Sequence, residues 1–382
     1  MNSLALRDFH RRLGARFGEV NGAEVACDYG DWLAEHAALG QSAVLDLSFR
    51  GRLCLVGADR IRFLHGQVTN DVKALRAGAG CYAALVTAKG KMEGDLNIFN
   101  LADELLLDFE PGLTEKISRR LERFIVADEV QIVDAAPHYG LLTAQGPGSE
   151  RVIGGLNLFP DIPHVPLDSV KISDPTRGEI YLMNHPRLRP WLETAASKGL
   201  DSSAHSATSC GFDLFVPKDS LAVIADKLIA AAKALGGRAA GWTAFEAARI
   251  EAGIPRFGAD MDETNLPLEC GIEAGAVSYR KGCYIGQEVI NRIHSFGRVT
   301  KELCGLRLAG NLNALPGRHD KLFCGAREVG YVTSALRSPS LGANIALGYV
   351  RREAGQLGTE LTLRTADAQT PARVVEMPFA KL

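Results

Sequence analysis

The chain has 382 residues, 46% of them hydrophobic and 23% charged, and its 43 basic and 45 acidic side chains give a formal charge of −2. That length allows two or three domains with substantial cores, and the composition is that of a globular protein. The near-neutral balance argues against a general nucleic-acid surface, and no apolar run approaches the roughly eighteen residues of a membrane span. Arg7, Asp8, Arg11 and Arg12 put charges within the first thirteen positions where a secretory signal would be apolar, so a cytoplasmic location is expected.

Residues 4–40 read as a helix-rich lead-in, followed by short strands at 43–47 and 52–56. Asp59 stands where a helix N-cap would, ahead of Ile61, Phe63 and Leu64. Strands are expected at 83–86 and 95–99, joined by the turn 87–91, then at 105–109, with a basic amphipathic helix over 114–124. This alternation predicts an α+β class.

Dense prolines between 146 and 190 mark a junction. Beyond it, 211–217 reads as a strand and 219–235 as a helix closed by Gly236 and Gly237. Thr243 and Glu246 have capping-box spacing and open the helix carrying Arg249 and Glu251. After about residue 301, short strands separated by Gly and Pro predict a small β-barrel or sandwich. The divisions expected are 1–145, 146–240, 241–302 and 303–382, the last being the barrel.

Eight cysteines stand at 27, 54, 81, 210, 270, 283, 304 and 324. None lies in a Cys-x-x-Cys pair or a zinc-type Cys/His spacing, so no metal site is expected and most should be small buried hydrophobes. Cys283 differs, because Lys281 and two glycines share its turn. A nearby ammonium favours the thiolate, and glycine permits positive φ or close approach of a ligand. Residues 288–293 open a helix whose free N–H groups would face that turn. A reactive loop and an inert tight turn are both open on these residues alone.

The run Lys281-Gly282-Cys283-Tyr284-Ile285-Gly286-Gln287-Glu288 resembles the Lys-Gly-Cys-Tyr-x-Gly-Gln-Glu signature of the YgfZ-type folate-binding proteins, relatives of the glycine cleavage T protein (aminomethyltransferase). Residues 249–255 and 258–269 resemble a segment both families share, and 57–71 their first strand and helix. The resemblance runs from about 42 to 349. It implies a multi-domain aminomethyltransferase-like α+β fold with a C-terminal β-barrel, and tetrahydrofolate as ligand. It implies a role supporting assembly or repair of iron-sulfur enzymes, with assembly or client proteins as partners. Cys283 would be the reactive group and Lys281 its electrostatic activator.

The same resemblance offers Asp95, Arg249, Glu251, Tyr284, Gly286, Gln287 and Arg292 for the folate. Asp95 is the carboxylate best suited to a pterin's adjacent N–H donors. Arg249 would hold a folate carboxylate or fix the helix register, and Arg292, Arg298 or Lys301 would draw the anionic tail. Two departures from the T protein stand out. Gly94 replaces the first of its paired aspartates, and Ser209 stands where it has a pterin-holding glutamate. The alternatives are a folate-dependent aminomethyl- or methyltransferase, and a non-catalytic folate- or redox-responsive regulator.

Overall fold

The computed structural model describes residues 4–188, 210–366 and 368–379. Two sheets stack face to face, each with helices on its outer side. The first has five antiparallel strands in the order Gly80–Val86, Met92–Asn100, Leu105–Phe109, Gly51–Val56, Gln131–Asp134. Side chains alternate across a strand, and here the alternation separates two cores. Leu53, Leu55, Ala83, Leu85, Leu96 and Ile98 pack against Phe63 and Leu64 of helix Arg60–Gln67 and Ile117 and Leu121 of helix Thr114–Glu122. Cys54, Tyr82, Ala84, Phe99 and Leu106 face the second sheet.

That second sheet runs Ser169–Asp174, Gly178–Asn184, Gly211–Pro217, Tyr139–Gln145, Ala43–Asp46, Arg238–Ala239. Ile180, Leu182, Phe212 and Leu214 lie under helix Lys218–Ala234, while Leu141, Tyr181, Met183 and Phe215 join the core between the sheets. Each large apolar side chain buried there contributes about 1.5–3 kcal/mol, so this shared core binds the two layers.

The C-terminal part is a closed barrel of six strands, Lys301–Leu308, Ala343–Arg351, Arg327–Ser338, Lys321–Cys324, Glu360–Arg364 and Gln369–Val375. Closure leaves no open edge, and Leu306, Leu322, Val332, Ala346 and Leu363 fill its core. The expected α+β fold with a C-terminal barrel is therefore present. No helix among the described residues is long and apolar enough to cross a membrane.

Several local expectations change. Within 4–40 a hairpin, Arg16–Val20 with Ala23–Asp28, lies between helices Arg7–Arg12 and Trp32–Leu39. The proline-dense junction contains the hairpin Ser169–Asp174 with Gly178–Asn184. A division at 145 cuts one sheet, because Leu142 pairs with Leu214 across neighbouring strands. Asp59 takes the expected N-cap position of helix Arg60–Gln67, but its side chain accepts the Glu129 N–H at 2.9 Å and no helix N–H. Helix Trp242–Glu251 starts at Gly241 without the Thr243 capping box.

Candidate functional site

Asp95 lies within strand Met92–Asn100, not at its head, and the period of two places it with Asn97 and Phe99 on the inward face. There it lines an open cavity, with Tyr82, Glu110, Arg187, Trp242 and Arg256 among the other walls. The Tyr82 hydroxyl donates to Asp95 Oδ2 at 2.8 Å, whereas Oδ1 is buried without a partner. Burial, then the charge of Glu110, pushes the Asp95 carboxyl up to about 6, against the lowering effect of the Tyr82 hydrogen bond.

The other charges around the cavity are paired. Asp108 accepts from Arg50 Nε at 2.8 Å, Arg187 Nη2 at 3.0 Å and Asn97 Nδ2 at 3.0 Å. Burial opposes its charge, but the two guanidinium groups outweigh it and hold the carboxyl well below the usual range. Arg187 also reaches Asp213 at 2.6 Å, and His185 Nδ1 lies 2.7 Å from the same carboxylate. Glu110 pairs with Arg50 and, at 3.1 Å, with Arg256, whose guanidinium sits 5.3 Å from the Trp242 ring centre. Asp95 thus keeps the free acceptor at this site.

Arg249 also lines the cavity, but its guanidinium is spent within the protein. It pairs with Asp260 and Glu246 and donates to Ser334 Oγ of the barrel at 3.0 Å, so it fixes the helix to the barrel instead of offering a free cation. Glu251 points elsewhere, as two helical positions require. It lies 2.8 Å from His36 Nε2 and accepts from Ser338 and Ser340, outside the cavity lining. A folate-holding Glu251 is corrected to a clamp between helix and barrel.

The cysteine loop forms a separate place. Lys281 is 7% exposed, and its Nζ donates to the carbonyls of His65, Val68 at 2.6 Å and Asn70 at 3.0 Å. These groups close the end of helix Arg60–Gln67, and Ile285 N–H adds a bond to Gly66 O at 3.3 Å. Three protons directed at three carbonyls commit the ammonium to the backbone, and none of these bonds reaches Cys283. Cys283 itself is exposed.

Gly286 has φ of 84°, and a Cβ there would lie 2.5 Å from Thr87 O, which explains the glycine. Tyr284 is buried at 6% with its hydroxyl unpartnered, Gln287 opens helix Gln287–Phe296, and Arg292 is exposed on it. None of Tyr284, Gly286, Gln287 and Arg292 lines the Asp95 cavity. Ser209 lies outside the described residues.

Sequence reasoning did not single out Tyr82, Glu110, Arg187, Trp242 or Arg256. The alternation that aims Asp95 inward could have found Tyr82, one strand away. Nothing local marks Arg187, whose partners Asp108 and Asp213 lie on two different sheets.

The GCVT N-terminal domain family matches residues 6–168 and 207–281, and the glycine cleavage T-protein C-terminal barrel domain matches 301–381. The chain belongs to the glycine cleavage T-protein family. Its relatives in that family include the aminomethyltransferase of Halothermothrix orenii, 26% identical over 381 residues, covering 99% of this chain and all of the relative. The aminomethyltransferase of Rubrobacter xylanophilus is 29% identical over 377 residues, covering 98% and 93%. The glycine cleavage system aminomethyltransferase T from Bartonella henselae superposes with a TM-score of 0.84 at 20% identity, over 99% of this chain and 98% of that one, a likeness of fold. Within the T-protein family these relatives bear the name of the transferase alternative, and they lend no support to the iron-sulfur reading.

Proposed function

We propose that this T-protein family member binds tetrahydrofolate in the cavity between its two sheets and acts in one-carbon transfer, as an aminomethyl- or methyltransferase. One observation carries the reading: Asp95 lines the cavity with one carboxylate oxygen buried and unpartnered, while the other charges there are neutralised in pairs. The residues fit the ligand. A pterin offers adjacent N–H donors to a carboxylate, and Trp242 and Tyr82 supply flat walls.

Bound folate would supply the nitrogen atoms that carry a one-carbon unit. Asp95, titrating near 6, can hold or give up a proton at the cavity wall close to neutral pH, and Tyr82 fixes its orientation. The names of the relatives support the same reading.

Calorimetry with tetrahydrofolate tests it, beside release of ammonia from an aminomethyl carrier protein. Wild type is expected to bind, and Asp95→Ala to bind at least tenfold more weakly. No binding by wild type overturns the reading, and binding without ammonia or methyl transfer overturns its catalytic half.

A second reading has its own observation. Six of the eight cysteines are buried or half-buried; Cys283 and Cys324 are exposed, and Cys283 lies in a loop anchored by Lys281 and Gly286. This favours a YgfZ-type folate-binding protein supporting iron-sulfur enzymes, with the thiol meeting a partner. In a strain lacking its own YgfZ-type protein, the wild-type chain should restore iron-sulfur enzyme activity and Cys283→Ala should not; full rescue by the variant sinks this reading.

A further inference from the structure

A second open cavity of about 330 Å³ lies toward the other end of the same strands. Leu106, Val133, Tyr139, Tyr181 and Phe215 make its walls apolar, and Tyr139 and Tyr181 meet edge to face at 6.1 Å. Phe99 separates it from the Asp95 cavity. That ring packs on Phe215 of the second cavity at 6.3 Å and on His185 of the first at 6.1 Å.

Arg52 also lines this cavity, and its state is unlike that of the other buried arginines. Arg50, Arg187 and Arg249 each hold one or more carboxylates. Arg52, 1% exposed, donates to the carbonyls of Arg50 and Ser48 at 3.1 Å and Tyr139 at 2.8 Å. It has no ion pair among the described residues, and its Nε is buried without any acceptor. A guanidinium withheld from both water and a counter-ion is strongly disfavoured, so an anion entering the cavity would gain what the protein leaves unmet.

We propose that this second cavity binds a small organic monocarboxylate with an apolar or aromatic body, the carboxylate against Arg52 and the body among Tyr139, Tyr181 and Phe215. The walls disfavour a bare phosphate, which needs several polar partners. Glu104 lines the same cavity and repels negative charge, which weakens a monocarboxylate and weakens a dianion more. The site is independent of the folate reading, because Phe99 stands between the two cavities.

The test is calorimetry and thermal unfolding of the full chain with phenylacetate as probe, and phenethylamine and inorganic phosphate as controls. Phenylacetate should bind one to one and raise Tm, with neither control doing so. Arg52→Met should abolish binding, but it removes bonds that hold turns together and its folding is not assured. Val133→Trp, at the half-exposed mouth, keeps the arginine and should weaken phenylacetate at least tenfold, while Glu104→Gln should tighten it about threefold. Absence of phenylacetate binding at millimolar concentration, equal binding by Val133→Trp, or preference for phenethylamine would each overturn the proposal.

Discussion

Tyr82 and Asp95 meet diagonally across two neighbouring strands: Tyr82 pairs in register with Asn97 and Asp95 with Ala84, and the Tyr82 hydroxyl closes the diagonal at 2.8 Å. Diagonal neighbours on one sheet face lie within reach of a long aromatic side chain, so the register itself builds this bond. The bond lowers the proton affinity of a carboxyl that burial raises. Tyr82→Phe should therefore move the Asp95 titration further above about 6, read from the carboxyl carbon shift across pH.

Asp95 should also weaken the fold it serves. Its carboxyl titrates near 6 when folded against an ordinary value of 3.8, so the folded chain binds the extra proton and loses stability as pH rises through that window. Asp95→Asn removes the loss. Urea unfolding should find the variant more stable than wild type above about pH 6, with the gap shrinking to nothing below about pH 4.

Lys281 is a helix-end clamp, and its loss should be read in stability. Lys281→Met leaves three carbonyls without their charged donor while removing a dehydrated ammonium, for a net loss of about 2–4 kcal/mol by urea unfolding. The pH profile of Cys283 thiol labelling should stay that of wild type. A shift of that profile toward higher pH would restore Lys281 as the thiol's activator.

Arg249 joins helix Trp242–Glu251 to the barrel through Asp260, which also accepts from Thr333 at 2.6 Å and Ser334 at 2.7 Å. Arg249→Met strands a buried carboxylate and should destabilise by about 3–5 kcal/mol. Arg249→Met combined with Asp260→Asn should recover part of that in thermal unfolding. Additive losses in the double variant would show that the pair is not coupled.

How much of this was legible in the sequence depended on how far apart the cooperating residues lie. The barrel showed itself through strands punctuated by Gly and Pro. Asp95 was chosen for its carboxylate, yet strand alternation is what aims it into a cavity. Lys281 misled because its neighbour in sequence is Cys283, while its bonds go to Val68 and Asn70, more than two hundred positions away. The hairpin of residues 16–28 was hidden by the helices on either side, and Arg187 by partners on two sheets.

The walls of the Asp95 cavity come from residues spread between Arg50 and Ile272. Tyr82 and Asp95 lie early, Arg187 in the middle and Trp242 and Arg256 later, with Arg256 reaching back to Glu110 across 146 positions. A ribosome that has released only the first 240 residues has made the carboxylate but not the wall opposite it. Ligand affinity at this place is therefore a late property of synthesis, and a bound ligand would protect distant segments together against proteolysis, since it binds only when all of them have met.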